Sequence, residues 1–157
     1  MASSFSIYGT FILGTLGVKT KDTPSYTVTN VTLNFDELVN MSRTTVYAEL
    51  YCYGLLIKSG DWTGVRLGLV LEKAGVSVYL QLGSVEFYAI DGYSTNLDLL
   101  AAARSDIIIA YEKDGLPLVE TTRLVIPYAN GDKWISNINQ IKIVIPSNNT
   151  EISVIIE

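Results

Sequence analysis

The chain carries a single cysteine, Cys52, and no histidine. Cys52 closes a strand-like run from Thr44 to Tyr53 and stands ten residues before Trp62-Thr63-Gly64-Val65. Without imidazole there is no Ser-His-Asp triad, no Cys-His nucleophile, no HExxH zinc site and no imidazole base near neutral pH. Two roles remain for Cys52. It is either a buried, inert thiol or a lone soft thiolate bound to a metal whose other ligands are not protein. Carboxylate pairs offer a second route to acid–base chemistry, at Asp91 with Asp98 or Glu112 with Asp114. Each pair sits among turn residues, and nothing in the sequence drives the two pKa values apart, so a glycosidase-like reading carries little weight.

Positioning any such group requires a folded core, and 157 residues at 48% hydrophobic suffice for a single domain spanning 1–157. Only 17% of residues are charged, the net charge is −5, and Lys58, Arg66, Lys73 and Arg104 are scattered, which excludes a nucleic-acid footprint and disfavours anionic membranes. One cysteine cannot make an intramolecular disulfide, so stability must come from packing. Met1-Ala2-Ser3-Ser4-Phe5 lacks a basic leader region, and no apolar run reaches the ~20 residues that cross a bilayer. The chain therefore reads as soluble. Its compartment stays open between cytoplasmic and exported, because sequons occur at Asn30-Val31-Thr32, Asn40-Met41-Ser42 and Asn148-Asn149-Thr150.

Strand-like segments run Phe5 to Leu13, Ser25 to Thr32, Thr44 to Tyr53, Ser84 to Ile90, Asp106 to Lys113, Thr121 to Pro127, Gln140 to Pro146 and Glu151 to Ile156. Helical spacing occurs at Val65 to Ala74 and Leu97 to Arg104, with a further turn at Asn34 to Asn40. Thr63 is placed to cap the first of these helices and Gly75 to end it. Asp114-Gly115 predicts a tight hairpin turn, and Asp91-Gly92-Tyr93 and Asn130-Gly131-Asp132 predict two more. The expected class is α+β, mostly β, a mixed-sheet or barrel-like domain with a few short helices.

A longer ordered set then emerges. Cys52 is followed by Trp62-Thr63-Gly64-Val65, Leu71-Glu72-Lys73-Ala74-Gly75-Val76, Val85-Glu86-Phe87, and Asp91-Gly92-Tyr93-Ser94. After these come Ile109 to Leu118, Arg123-Leu124-Val125-Ile126-Pro127, Lys133-Trp134-Ile135 and Ile141-Lys142-Ile143. This order resembles the oxidoreductase molybdopterin-binding domain of the sulfite oxidase family, as a minimal single-domain member, over about residues 5–145. Residues 146–157 then form an extra C-terminal strand.

The resemblance implies a molybdenum cofactor, molybdopterin, whose metal takes one protein thiolate, and Cys52 falls at that position. The cofactor would supply oxygen-atom transfer while the protein positions and tunes it. Tyr93 falls near the family's active-site tyrosine. Gly131, Asp132, Lys133 and Trp134 fall on the segment that passes the pterin phosphate, where a lysine and turn amides suit a dianion. The family segment whose arginine and histidine grip the pterin would precede the strand containing Ile7-Tyr8-Gly9.

Departures from the family sharpen the expectation. Where sulfite-oxidising members carry arginines after the cysteine, this chain has Tyr53-Gly54-Leu55-Leu56-Ile57-Lys58, and only Lys58 and Lys133 are placed to meet a phosphate. A dianion such as sulfite is a poor substrate for such a pocket, so a neutral or weakly charged substrate such as a sulfoxide is expected. No haem or iron–sulfur ligand set exists, so electrons would come from a separate partner.

The plainer alternatives are a strand-end Cys52 packed as a small hydrophobe, a Tyr93 wetting its hydroxyl after a turn, a solvated Lys133, Trp62 and Trp134 as core anchors, and Arg123 paired with Glu112 or Glu120. Under these readings the chain is a cofactor-free binding or structural module, extracellular in one version, which self-associates through strand edges such as the unpartnered Glu151 to Ile156 run. The enzyme reading instead expects the Cys52 sulfur to open onto a cleft lined by Tyr93 and the turn from Asn130 to Trp134.

Overall fold

The structure, a computed structural model, describes residues 25–78 and 81–157. The strand expected at Phe5 to Leu13 lies outside them. In chain order the elements are β1 (Thr27–Leu33), α1 (Phe35–Asn40), β2 (Arg43–Cys52), β3 (Leu55–Arg66), α2 (Leu67–Lys73), β4 (Ser84–Ala89), β5 (Ser94–Asp98), β6 (Ile108–Lys113), β7 (Leu116–Pro117), β8 (Arg123–Val125), β9 (Ile138–Ile145) and β10 (Thr150–Ile156). They form two five-stranded sheets, one ordered β1-β10-β9-β4-β5 and the other β2-β3-β6-β7 with β8 on β6. The expected α+β class holds, but among the described residues neither sheet closes into a barrel.

Alternation in the first sheet comes straight from the sequence. Val85 and Phe87 of β4 stand opposite Ile143 and Ile141 of β9, which in turn stand opposite Ile152 and Val154 of β10. Two apolar rows thus cross three strands on one face, and all six side chains are buried. Each contributes about 1.5–3 kcal/mol of transfer free energy. The C-terminal run that lacked a partner in the sequence is not an edge. It pairs antiparallel with β9 and parallel with β1, the register running Thr27 against Thr150 to Leu33 against Ile156.

In the second sheet β6 is central, and Ile108 to Tyr111 are buried on both faces. Gly64 sits where the β3–β6 register shifts, and a β-carbon there would collide with the Ile109 backbone. Only glycine allows that approach.

Three expectations change. Thr63 does not cap a helix: it is a buried residue of β3, its hydroxyl 2.8 Å from that of Thr45, and α2 starts later with Arg66 at its N-cap. Strand pairing on both sides claims the backbone that helical spacing had suggested. Leu97 belongs to β5, opposite Val85, and the helix expected at Leu97 to Arg104 shrinks to a 3-10 turn at Ala101–Ala103. Tyr53-Gly54, with φ of 52° and 79°, makes a two-residue hairpin turn, so the apolar run after Cys52 is the start of β3. Other turns stand as read: Asp114 and Gly115 both take positive φ, and Gly75 ends α2 at φ 92°. The turn expected at Asn34 to Asn40 is α1, and a reciprocal Asn34–Glu37 cap not singled out in the sequence opens it.

Candidate functional site

Cys52 is the last residue of β2, which stands at the edge of its sheet among the described residues, and its inward-facing neighbours Ala48 and Leu50 are buried. Its sulfur is only partly covered and makes no disulfide. The turn Asn130 to Trp134 reaches back against this strand end. A β-carbon on Gly131 would overlap the Cys52 Sγ, and would lie 2.9 Å from the Tyr51 carbonyl oxygen. Absence of a side chain at 131 is therefore what lets the turn meet the thiol.

The turn is braced from three directions. The Tyr93 hydroxyl donates to the Asp132 carbonyl at 2.6 Å, while the Tyr93 amide donates to the Asp91 carboxylate at 3.0 Å. The Trp134 indole N–H donates to the Ala129 carbonyl, and its buried ring meets Trp62 edge-to-face at 5.6 Å between centroids. Arg123 donates to the Trp134 carbonyl at 3.0 Å and to Glu120 at 2.6 Å. Glu120 is the partner expected for Arg123; Glu112 pairs instead with Arg43. Burial of Glu120 opposes its ionisation, but the Arg123 hydrogen bond and charge, helped by Lys58, outweigh that and hold its carboxyl below the ordinary range.

Cys52, Tyr93, Gly131, Asp132, Lys133 and Trp134 thus gather at one end of the molecule, but not around one cleft. One cavity of about 190 Å³ lies on the Tyr93 side, lined by Asp91, Tyr93, Gly131, Asp132 and Trp134. A larger one of about 440 Å³ lies on the other, between Tyr47, Glu49 and Tyr51 of β2 and Pro127, Tyr128 and Asn130. Cys52 lines neither, and Gly131 stands between it and the Tyr93 side. The tyrosines and Glu49 of the larger cavity were not singled out in the sequence, although the alternation Tyr47-x-Glu49-x-Tyr51 in a strand carries the signal.

The thiol of Cys52, a partly buried residue, is the type of soft donor that molybdenum takes; among the described residues no group of three or more Cys, Asp or Glu residues could hold a metal ion. For the phosphate end, Lys58, Arg66, Lys73 and Lys133 make no ion pair among the described residues, whereas Arg43, Arg104, Lys113, Arg123 and Lys142 do; of the former, Lys133 lies on the turn beside Cys52. No helix among the described residues is long and apolar enough to cross a membrane.

No curated protein matches the chain. Among solved structures it is similar to the sulfane dehydrogenase SoxCD from Paracoccus pantotrophus, at 18% identity and a TM-score of 0.59, a likeness of fold. That match covers 76% of this chain but 34% of the other, so the chain spans about a third of the protein it resembles. The family model for the oxidoreductase molybdopterin-binding domain matches residues 25–150, and the chain belongs to that family.

Proposed function

We propose that this domain binds a molybdenum cofactor through the Cys52 thiolate and takes part in oxygen-atom transfer. The observation that carries the reading is the convergence of the partly buried Cys52 with Gly131, in a turn whose next carbonyl is held by the Tyr93 hydroxyl. When bound, the cofactor supplies the redox chemistry. The chain's own residues do the rest. Cys52 offers the soft anionic ligand, and Tyr93 locks the turn at Asp132 while presenting an exposed ring and phenol to the adjoining cavity. Lys133, on the turn itself, and Lys58, opposite Leu50 in the β2–β3 register, would meet a pterin phosphate, and Trp134 anchors the turn in the core. A substrate dianion meets no converging arginines here, so a neutral substrate such as a sulfoxide fits better, with electrons delivered by a separate protein.

Molybdenum and pterin content of the protein, purified from a host that makes the cofactor, tests this. Near-stoichiometric metal in the wild type and its loss in a folded Cys52→Ser variant are expected. Metal near zero in folded wild-type protein would end the proposal.

A further inference from the structure

The 440 Å³ cavity has a chemistry that the thiolate reading does not use, and its size falls within the ~300–1,000 Å³ of small-molecule sites. Tyr47, Glu49 and Tyr51 alternate along β2 and project from one face of the strand. The Glu49 carboxylate accepts the Tyr51 hydroxyl at 3.0 Å on one oxygen and the Tyr47 hydroxyl at 3.5 Å on the other. No lysine or arginine among the described residues forms an ion pair with it. Asp61 stands directly opposite Tyr47 in the β2–β3 register, which brings a second carboxylate to the same face. Across the cavity, Tyr128 is 98% exposed and holds a φ of 73°. A bulky residue adopts that conformation only at a cost, so the backbone keeps an aromatic ring in solvent at the mouth of the cavity.

Aromatic rings around an unneutralised carboxylate select by charge and shape. An anion is repelled by Glu49. A bare metal ion finds too few protein oxygens. A neutral apolar guest leaves the carboxylate unanswered, whereas an alkylated ammonium offers methyl groups to the rings and positive charge to both the ring faces and Glu49. The same hydrogen bond and charge of Glu49 push the Tyr51 hydroxyl above the ordinary tyrosine value, so Tyr51 stays neutral and keeps donating. We propose that the cavity between Tyr47, Glu49 and Tyr51 of β2 and Tyr128 binds a small organic cation of the quaternary or tertiary ammonium class.

The test is calorimetric titration of the full chain with choline, and with its neutral isostere 3,3-dimethylbutan-1-ol. Saturable choline binding is expected, with no comparable binding of the alcohol. Glu49→Gln should weaken choline binding by about tenfold or more, and Tyr128→Ala should weaken it as well, both with an unchanged thermal unfolding profile. Absence of saturable choline binding overturns the proposal. So does equal binding of the alcohol, or a folded Glu49→Gln protein that binds choline as tightly as the wild type. Binding is read without molybdenum, so the result is independent of whether Cys52 carries the cofactor.

Discussion

Gly131 lies against the sulfur of Cys52 so closely that no larger residue fits there without movement: a β-carbon at 131 would overlap Sγ and approach Leu50 Cδ1 to 3.0 Å. The contact joins the end of β2 to a turn 79 positions further along the chain. Because Leu50 and the Tyr51 carbonyl are held within β2, the turn rather than the strand must yield. Gly131→Ala should therefore cost about 1–3 kcal/mol, seen as a lower urea midpoint at unchanged slope. The displaced turn should also uncover the thiol, so mass spectrometry should record faster alkylation of Cys52. An unchanged midpoint and alkylation rate would mean that the turn does not cover the sulfur.

Tyr93→Phe removes the hydroxyl that donates to the Asp132 carbonyl but keeps the ring. The bond is exposed, and its loss should cost about 0.5–1.5 kcal/mol. If Tyr93 also serves the substrate, turnover by cofactor-loaded protein should fall by far more than the urea melt shifts. Parallel melts and rate measurements separate the two roles.

The Glu120–Arg123 pair predicts a pH response. Glu120 has a folded-state pKa below its unfolded one, so its contribution to stability is present above the usual glutamate range and is lost as pH falls through the depressed value. Arg123 also holds the Trp134 carbonyl, so acid should loosen the turn beside Cys52. Glu120→Gln should remove this share of the acid sensitivity and cost about 1–3 kcal/mol at neutral pH. Urea melts across the acid range, wild type against variant, provide the check.

Removal of β10 should be far more damaging than removal of a terminal strand usually is. Among the described residues β10 is the only strand paired with β1, and it buries Ile152, Val154 and Ile156. A chain ending before Thr150 deprives β1 and the outer side of β9 of the partner they have among the described residues, and it should lose cooperative unfolding by circular dichroism. A truncated protein that melts cooperatively near the wild-type temperature would show that β10 is dispensable.

Local patterning made much of this molecule legible in advance. Two-residue alternation marked β4, β9 and β10, and glycine chemistry marked the Asp114-Gly115 turn and the end of α2. The ordered motifs around Cys52 identified the family. Short apolar stretches were ambiguous, because Thr63 and Leu97 fit a helical period as well as a strand until a partner strand claims their amides.

What the sequence determined by itself was composition-deep and motif-deep: no imidazole chemistry, one soft sulfur, no nucleic-acid charge pattern, a strand-rich α+β domain of molybdopterin-binding type. What only the tertiary structure decided was adjacency. Cys52 meets Gly131, Tyr93 reaches Asp132, and Tyr47, Glu49 and Tyr51 face Tyr128 across a cavity. The terminal strand found its place between β1 and β9 rather than at an edge. Periodicity reports which face a side chain takes, but pairing between distant segments depends on the summed burial of the whole core, which no local window contains.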